Sequence, residues 1–224
     1  MSNEVVSPRK KLPLLKLAVV AAAAIAGAVL VLRGLDVGEA IEQGMALIRR
    51  AGPVAFFLGM ALLPAVGAPL TLFTIPAGEA FAPQMTLGGV IAVTLVAVAL
   101  NLALTYWLAH RAFRPLLERW VTRYGYRVPR VSADNALTVA LLVRLTPGPP
   151  FFLQSYILGL AAVPFRLYMI VSWLAVLPWA VGAVVLGRGI LNGNFKVAAI
   201  GLGVIVVAIV VVQAVRRKLA KRES

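Results

Sequence analysis

Six stretches of this chain run apolar for nineteen residues or more: Leu14–Leu32, 53–83, 86–109, 136–164, 167–186 and 197–215. Runs of about 18 or more apolar residues are what a membrane helix needs, and a water-soluble core does not use so many. Charged residues make up only 13% of the chain and hydrophobic ones 61%. The charged share of a soluble domain is about 25%. The chain is therefore expected to be an all-α integral membrane protein. Leu14–Leu32 follows Arg9, Lys10 and Lys11, as a secretory signal would. It is longer than the 7–15 residues of a signal core, so it reads as a retained span.

Four of the runs read as full spans: 14–32, 86–109 with Asn101 in its interior, 167–186 and 197–215. The other two are broken. Pro53, Pro64, Pro69, Pro76 and Pro83 punctuate 53–83, and Pro147, Pro149, Pro150 and Pro164 punctuate 136–164. Each half is about 12–13 residues, or about 18–20 Å of helix, too short for a core of about 30 Å. Each broken run is expected to enter, turn and leave on one side, as a re-entrant hairpin; the competing reading is a pair of kinked full spans. Backbone that is not helical at that depth survives only inside protein or beside a water-filled cavity.

Charge orients the spans. Arg9, Lys10, Lys11 and Lys16 precede or open the first span. Six arginines (Arg111, Arg114, Arg119, Arg123, Arg127 and Arg130) lie between 110 and 134. Arg216, Arg217, Lys218, Lys221 and Arg222 form the tail. Four full spans with two hairpins put all three regions on the cytoplasmic side, as the positive-inside rule requires. The expected organisation is a basic N-terminus (1–13), one membrane domain (14–215) and a basic tail (216–224), with both termini cytoplasmic. The region 33–50 reads as a loop with a short interfacial helix, and 110–134 as a polar, basic loop. The two hairpins then point in opposite directions, each followed by a span. The halves 53–109 and 136–187 form an inverted repeat, the arrangement many transporters build around a midplane site.

The stretch Arg144-Leu-Thr-Pro147-Gly-Pro-Pro150-Phe151, followed by Ser155-Tyr156-Ile-Leu-Gly159 and Val163-Pro164-Phe165, resembles the DedA superfamily, in its VTT-domain branch. Pro64, Pro69 and Ala77-Gly78-Glu79-Ala80-Phe81 resemble that branch's proline-rich turn and AGxxFG signature. The resemblance covers roughly residues 50–190. It departs at Ala82, where the signature has Gly, at Ser155, where Asn is common, and at Pro150, where the DedA branch proper has a second arginine. The resemblance implies two opposed re-entrant hairpins. It also implies movement of lipids between leaflets, by phospholipid scrambling or by recycling of polyprenyl-phosphate carriers, with proton coupling in some members. It points to the inner cell membrane.

Few residues can carry chemistry. Arg144 is a charge inside an apolar run; it needs a partner, a polar cavity or an interface. Its fork can take a phosphate with two hydrogen bonds. Three readings stand: pairing with an acid or capping carbonyls, contact with a lipid headgroup, or reach to the interface. Glu79 is the one acid in any apolar run. It is a candidate proton carrier or partner of Arg144, or else a solvated residue near the outer face. Pro64, Gly67, Pro69, Pro147, Gly148, Pro149 and Pro150 make the hairpin turns. Gln154, Ser155, Tyr156 and Asn101 are candidate polar lining, or hydrogen bonds between helices.

There is no cysteine and one histidine, so no metal or thiolate site is expected. No P-loop, basic-aromatic or triad pattern appears, so ATP hydrolysis, nucleic-acid binding and other enzymatic chemistry are not expected. No cofactor is expected. The leading expectation is a lipid translocator acting on anionic or phosphate headgroups, with a homo-oligomer left open. The alternatives are a proton- or ion-coupled small-solute transporter using Glu79, and an assembly factor without transport.

Overall fold

A computed structural model describes residues 37–123, 131–146 and 149–220. The expected span Leu14–Leu32, the residues Arg127, Arg130, Pro147 and Gly148, and the end of the tail lie outside the described residues. Among the described residues there is helix and no strand. The chain divides into two units at Leu47/Ile48. Residues 37–47 of the first are helical. Apart from those residues, the geometry below lies in the second.

In chain order the helices are α1 (Val37–Leu62), a 3-10 turn (Leu63–Val66), α2 (Thr71–Trp107), a π turn (Leu108–Phe113), α3 (Arg114–Thr122), α4 (Ala136–Leu145), α5 (Phe151–Leu160), α6 (Phe165–Leu191) and α7 (Phe195–Ala220). Among the described residues, four helical runs are long and apolar enough to cross a membrane: Gly38–Val66, Thr71–Arg119, Phe165–Leu191 and Phe195–Lys218.

The first two runs are broken where the sequence breaks them. Gly52 takes φ 79°, a value that costs residues with a Cβ, and Pro53 starts a new helical piece. That piece, 53–62, has ten residues and rises about 15 Å. Pro64 cannot extend it, since it has no N–H to give. The chain tightens into the 3-10 turn, and Gly67 closes it at φ 107°, its N–H bonding to Pro64 O at 3.2 Å. α2 is interrupted at Met85 and at Thr86, whose φ is 63°. Thr86 caps the second piece, its Oγ1 accepting from Gly89 N at 3.2 Å. The first piece, 71–84, is about 21 Å long; the second, 87–107, is about 32 Å and reaches across a bilayer core.

The run 136–164 is also broken where its prolines lie. α4 and α5 have ten residues each. Thr146–Pro150 separates them, and Pro150 opens α5. α5 ends at Ala162, with φ 55°, where Ala162 N bonds Gly159 O and Val163 N bonds Leu158 O. That is the paired hydrogen-bond motif that terminates helices at a left-handed residue. Pro164 then opens α6.

Residues 110–122 of the expected loop are helical. Helix continues to Thr122. Pro115 removes one N–H and would crowd the carbonyl four residues back. The wider π turn at Leu108–Phe113 lies immediately before it and accommodates it.

Two close approaches hold the halves together. A Cβ on Gly78, in the first piece of α2, would lie 2.5 Å from Val184 O and 2.9 Å from Arg188 Cβ on α6. A Cβ on Gly159, in α5, would lie 2.5 Å from Ala109 Cβ and 3.3 Å from Tyr106 O. Each arm that follows a turn thus lies against the long helix of the other half. The core between them is built on Leu102, Ala140, Leu158, Val163 and Tyr168, all buried.

Candidate functional site

The two turns face one cavity of about 640 Å³. Gly67, Ala68, Pro69, Leu70 and Thr71 line it from the first turn. Arg144, Thr146, Pro149, Pro150, Phe152 and Gln154 line it from the second. Ala175, Val176 and Trp179 of α6 and Val212 of α7 complete the wall.

Arg144 sits in the last turn of α4 and is 9% exposed. Its Nε donates to Ser172 Oγ at 2.9 Å and its Nη2 to Ser155 Oγ at 2.9 Å. The guanidinium stands 5.0 Å from the Phe151 ring centroid and 5.5 Å from that of Tyr168. Its Nη1 is buried and has no hydrogen-bond partner among the described residues. Among the described residues no carboxylate meets it. A buried charge held only by neutral hydroxyls and ring faces is fixed in position but not neutralised. It offers a bound anion both charge and a free donor.

Glu79 is placed elsewhere. Its Oε1 lies 3.4 Å from Arg49 Nη2 on α1, and neither side chain is deeply buried. The expected candidate pairing of Arg144 with Glu79 is not formed, and Glu79 does not line the cavity.

The other polar candidates chiefly hold the turns. Asn101 Nδ2 donates to Ala61 O at 2.9 Å, at the end of α1. Tyr156 Oη donates to Ala65 O at 2.9 Å, tying α5 to the first turn. Gln154 Nε2 donates to Thr146 O at 3.2 Å and to Pro149 O at 3.3 Å, bracing the second turn from inside the cavity wall. Ser155, fully buried, stands behind Arg144 and also donates to Phe151 O at 3.1 Å. Carbonyls freed by a broken helix in an apolar setting need such donors. Pro64 is buried in the first turn and lies off the cavity.

Asn101→Leu removes the donor for Ala61 O and is expected to cost about 1–3 kcal/mol. Thermal unfolding in detergent should show a lowered midpoint; an unchanged one would mean that Ala61 O does not depend on Asn101.

Sequence reasoning missed Ser172 and Tyr168. Their spacing of four on α6 puts both on one face, and that polar pair in an apolar span was the available signal. Phe151, at the start of α5, is a further ring partner of the guanidinium.

A helical bundle with long apolar helices, two of its runs broken around a cavity that holds a buried arginine, defines a polytopic membrane protein. The VTT domain family model matches residues 68–189, more than half of the chain, and the chain belongs to that family. No curated protein and no solved structure matched it. Membership links the chain to membrane transport in general.

Proposed function

We propose that the protein moves lipids between leaflets, as a phospholipid scramblase or a carrier of polyprenyl phosphates, with the headgroup passing between the two broken-helix turns. The observation that carries this is Arg144: a buried charge whose Nη1 has no hydrogen-bond partner among the described residues, in a cavity to which both turns contribute. An anionic headgroup supplies the counter-charge the described residues lack, while its tails stay in lipid. Lowering the cost of a charge in the membrane needs only a few polar groups, and no catalytic step is invoked.

The turns are read here as the tips of re-entrant hairpins. The arms 53–62, 136–145 and 151–160 are about 15 Å long, half of a bilayer core. The halves 53–109 and 136–187 are read as inverted repeats. Supporting this, Gly78 and Gly159 occupy matching places, each on the arm after a turn and each against the other half's long helix. Thr86 and Ala162, both at positive φ, end those two arms. The basic residues of 110–134 and the tail favour cytoplasmic termini, and the family resemblance implies the inner cell membrane. The ion-coupled reading has less support, because Glu79 lies against Arg49 and away from the cavity.

The test is transfer of a fluorescent phospholipid, and separately of a short polyprenyl phosphate, across proteoliposomes containing the full chain. Movement of either above protein-free vesicles is the expected result. Folded protein that moves neither removes the proposal, and pH-driven solute uptake in the same vesicles would turn attention to Glu79.

A further inference from the structure

A second polar cavity lies where the end of α5 meets the π turn. Tyr106, His110 and Arg114, spaced by four, each reach a carbonyl there. Tyr106 Oη donates to Val163 O at 2.7 Å, and His110 Nδ1 lies 3.3 Å from Gly159 O. Arg114 Nη1 donates to Leu160 O. Arg114 is 4% exposed, and its Nε donates to Glu118 Oε1 at 2.9 Å. Its Nη2 is buried and has no hydrogen-bond partner among the described residues. Beside it is a space of about 410 Å³, walled by His110, Arg114, Pro115, Glu118, Val131 and Ala162.

Three features point to an anion. A guanidinium N–H without an acceptor is a donor site already desolvated. The stretch 108–123 holds four arginines against one glutamate, so its field draws anions. The site adjoins a π turn, a rare conformation frequent at functional sites. The remaining groups narrow the class. A carbonyl only accepts, so the contact with Gly159 O puts a proton on His110 Nδ1. The Glu118 carboxylate also only accepts. A fully ionised oxyanion has nothing to give that carboxylate, whereas an anion that still carries a hydroxyl does.

We propose that this cavity is a second anion site, distinct from Arg144, that takes one hydroxyl-bearing phosphate group. Arg114 Nη2 meets a charged oxygen, and the P–OH faces Glu118. The same chemistry arrives on a phosphate-monoester lipid headgroup or on free phosphate.

The test is calorimetric titration of the full chain in detergent, in an Arg144→Met background so that the first cavity does not contribute. The probes are inorganic phosphate, sulfate and dihexanoyl phosphatidate. Saturable phosphate binding is expected, with sulfate at least about tenfold weaker, roughly one hydrogen bond's worth. Arg114→Lys, which keeps charge and loses the fork, should weaken phosphate by a similar factor. Should that variant not fold, Val131→Phe fills the cavity without removing a side-chain hydrogen bond and should do the same. Phosphatidate binding tighter than phosphate assigns the lipid source; equal or weaker binding assigns free phosphate. The proposal is overturned if neither phosphate nor phosphatidate binds saturably. It is equally overturned if sulfate matches phosphate, or if both cavity variants bind as the background does. None of these outcomes depends on whether lipid translocation itself is observed.

Discussion

Arg144→Met should lower lipid translocation at least about tenfold, a barrier increase of about 1.4 kcal/mol or more. It should also leave the thermal midpoint within a few degrees of wild type. The two expectations together make the experiment decisive. Methionine removes two hydrogen bonds, to Ser155 and Ser172, each worth about 1 kcal/mol net, and two ring contacts of about 0.5–2 kcal/mol. It also removes a buried, unneutralised charge whose desolvation costs several kcal/mol. Ser155 keeps its bond to Phe151 O, while the buried Ser172 Oγ loses its bond to Arg144 Nε. The terms nearly cancel, and replacing buried ions by apolar groups of similar size is often neutral or stabilising. An arginine kept only as a strut would behave differently: midpoint and translocation would fall together. Unchanged translocation with an unchanged midpoint would mean that headgroups pass elsewhere. Arg144→Lys refines the result, since it keeps the charge but cannot reproduce the fork.

How much of this was legible before folding depends on the range over which each feature is decided. The breaks at 63–70 and 146–150 are local: Pro64, Gly67, Pro149 and Pro150 act on their own backbone, and the sequence displays them directly. Arg144 was legible as a charge in an apolar run. Its surroundings were not, because Ser155 and Ser172 come from different helices 11 and 28 residues away. Asn101, Gln154 and Tyr156 were recognisable as donors, but the sequence does not name their acceptors. The acceptors are carbonyls exposed by the breaks. From sequence Glu79 reads as a proton carrier, a partner of Arg144 or a solvated residue near the outer face, and nothing local chooses among them. The kink at Gly52 sets off a helical stretch that carries Arg49, 30 residues from Glu79 in sequence, and that arginine is the partner. Arg114 was counted as one of six topological charges. Only the π turn and the end of α5 reveal that it is buried.

Gly187→Ala should be among the most damaging single-methyl changes in the chain, and Gly88→Ala should be harmless. A Cβ on Gly187 would sit 2.0 Å from Ile75 O, 2.7 Å from Ile75 C and 2.8 Å from Ile75 Cα. All three are backbone atoms, so no side chain can rotate away. Gly78, three residues on in α2, makes the reciprocal approach to Val184 O on α6. Small residues let membrane helices pack backbone to backbone, where van der Waals contact rather than water exclusion supplies the attraction. Separating them forfeits that contact along the whole crossing. Overpacking costs about 1–3 kcal/mol, and an unyielding backbone neighbour places this case near the upper end. A loss of about 3 kcal/mol lowers the midpoint by about 6–12 °C in a chain of this size. Nothing lies within 4 Å of a Cβ on Gly88, so alanine there should leave the midpoint unchanged or raise it slightly through helix propensity. The comparison also bears on transport. The first piece of α2 begins at the tip that lines the Arg144 cavity, and α6 supplies Ala175, Val176 and Trp179 to the opposite wall. A shift at the crossing therefore moves the tip against the wall, and Gly187→Ala should lose translocation at temperatures where the protein is still folded. Equal tolerance of alanine at Gly187 and Gly88 would mean that α2 and α6 do not cross at this distance, and the cavity would have to be rebuilt from a different packing.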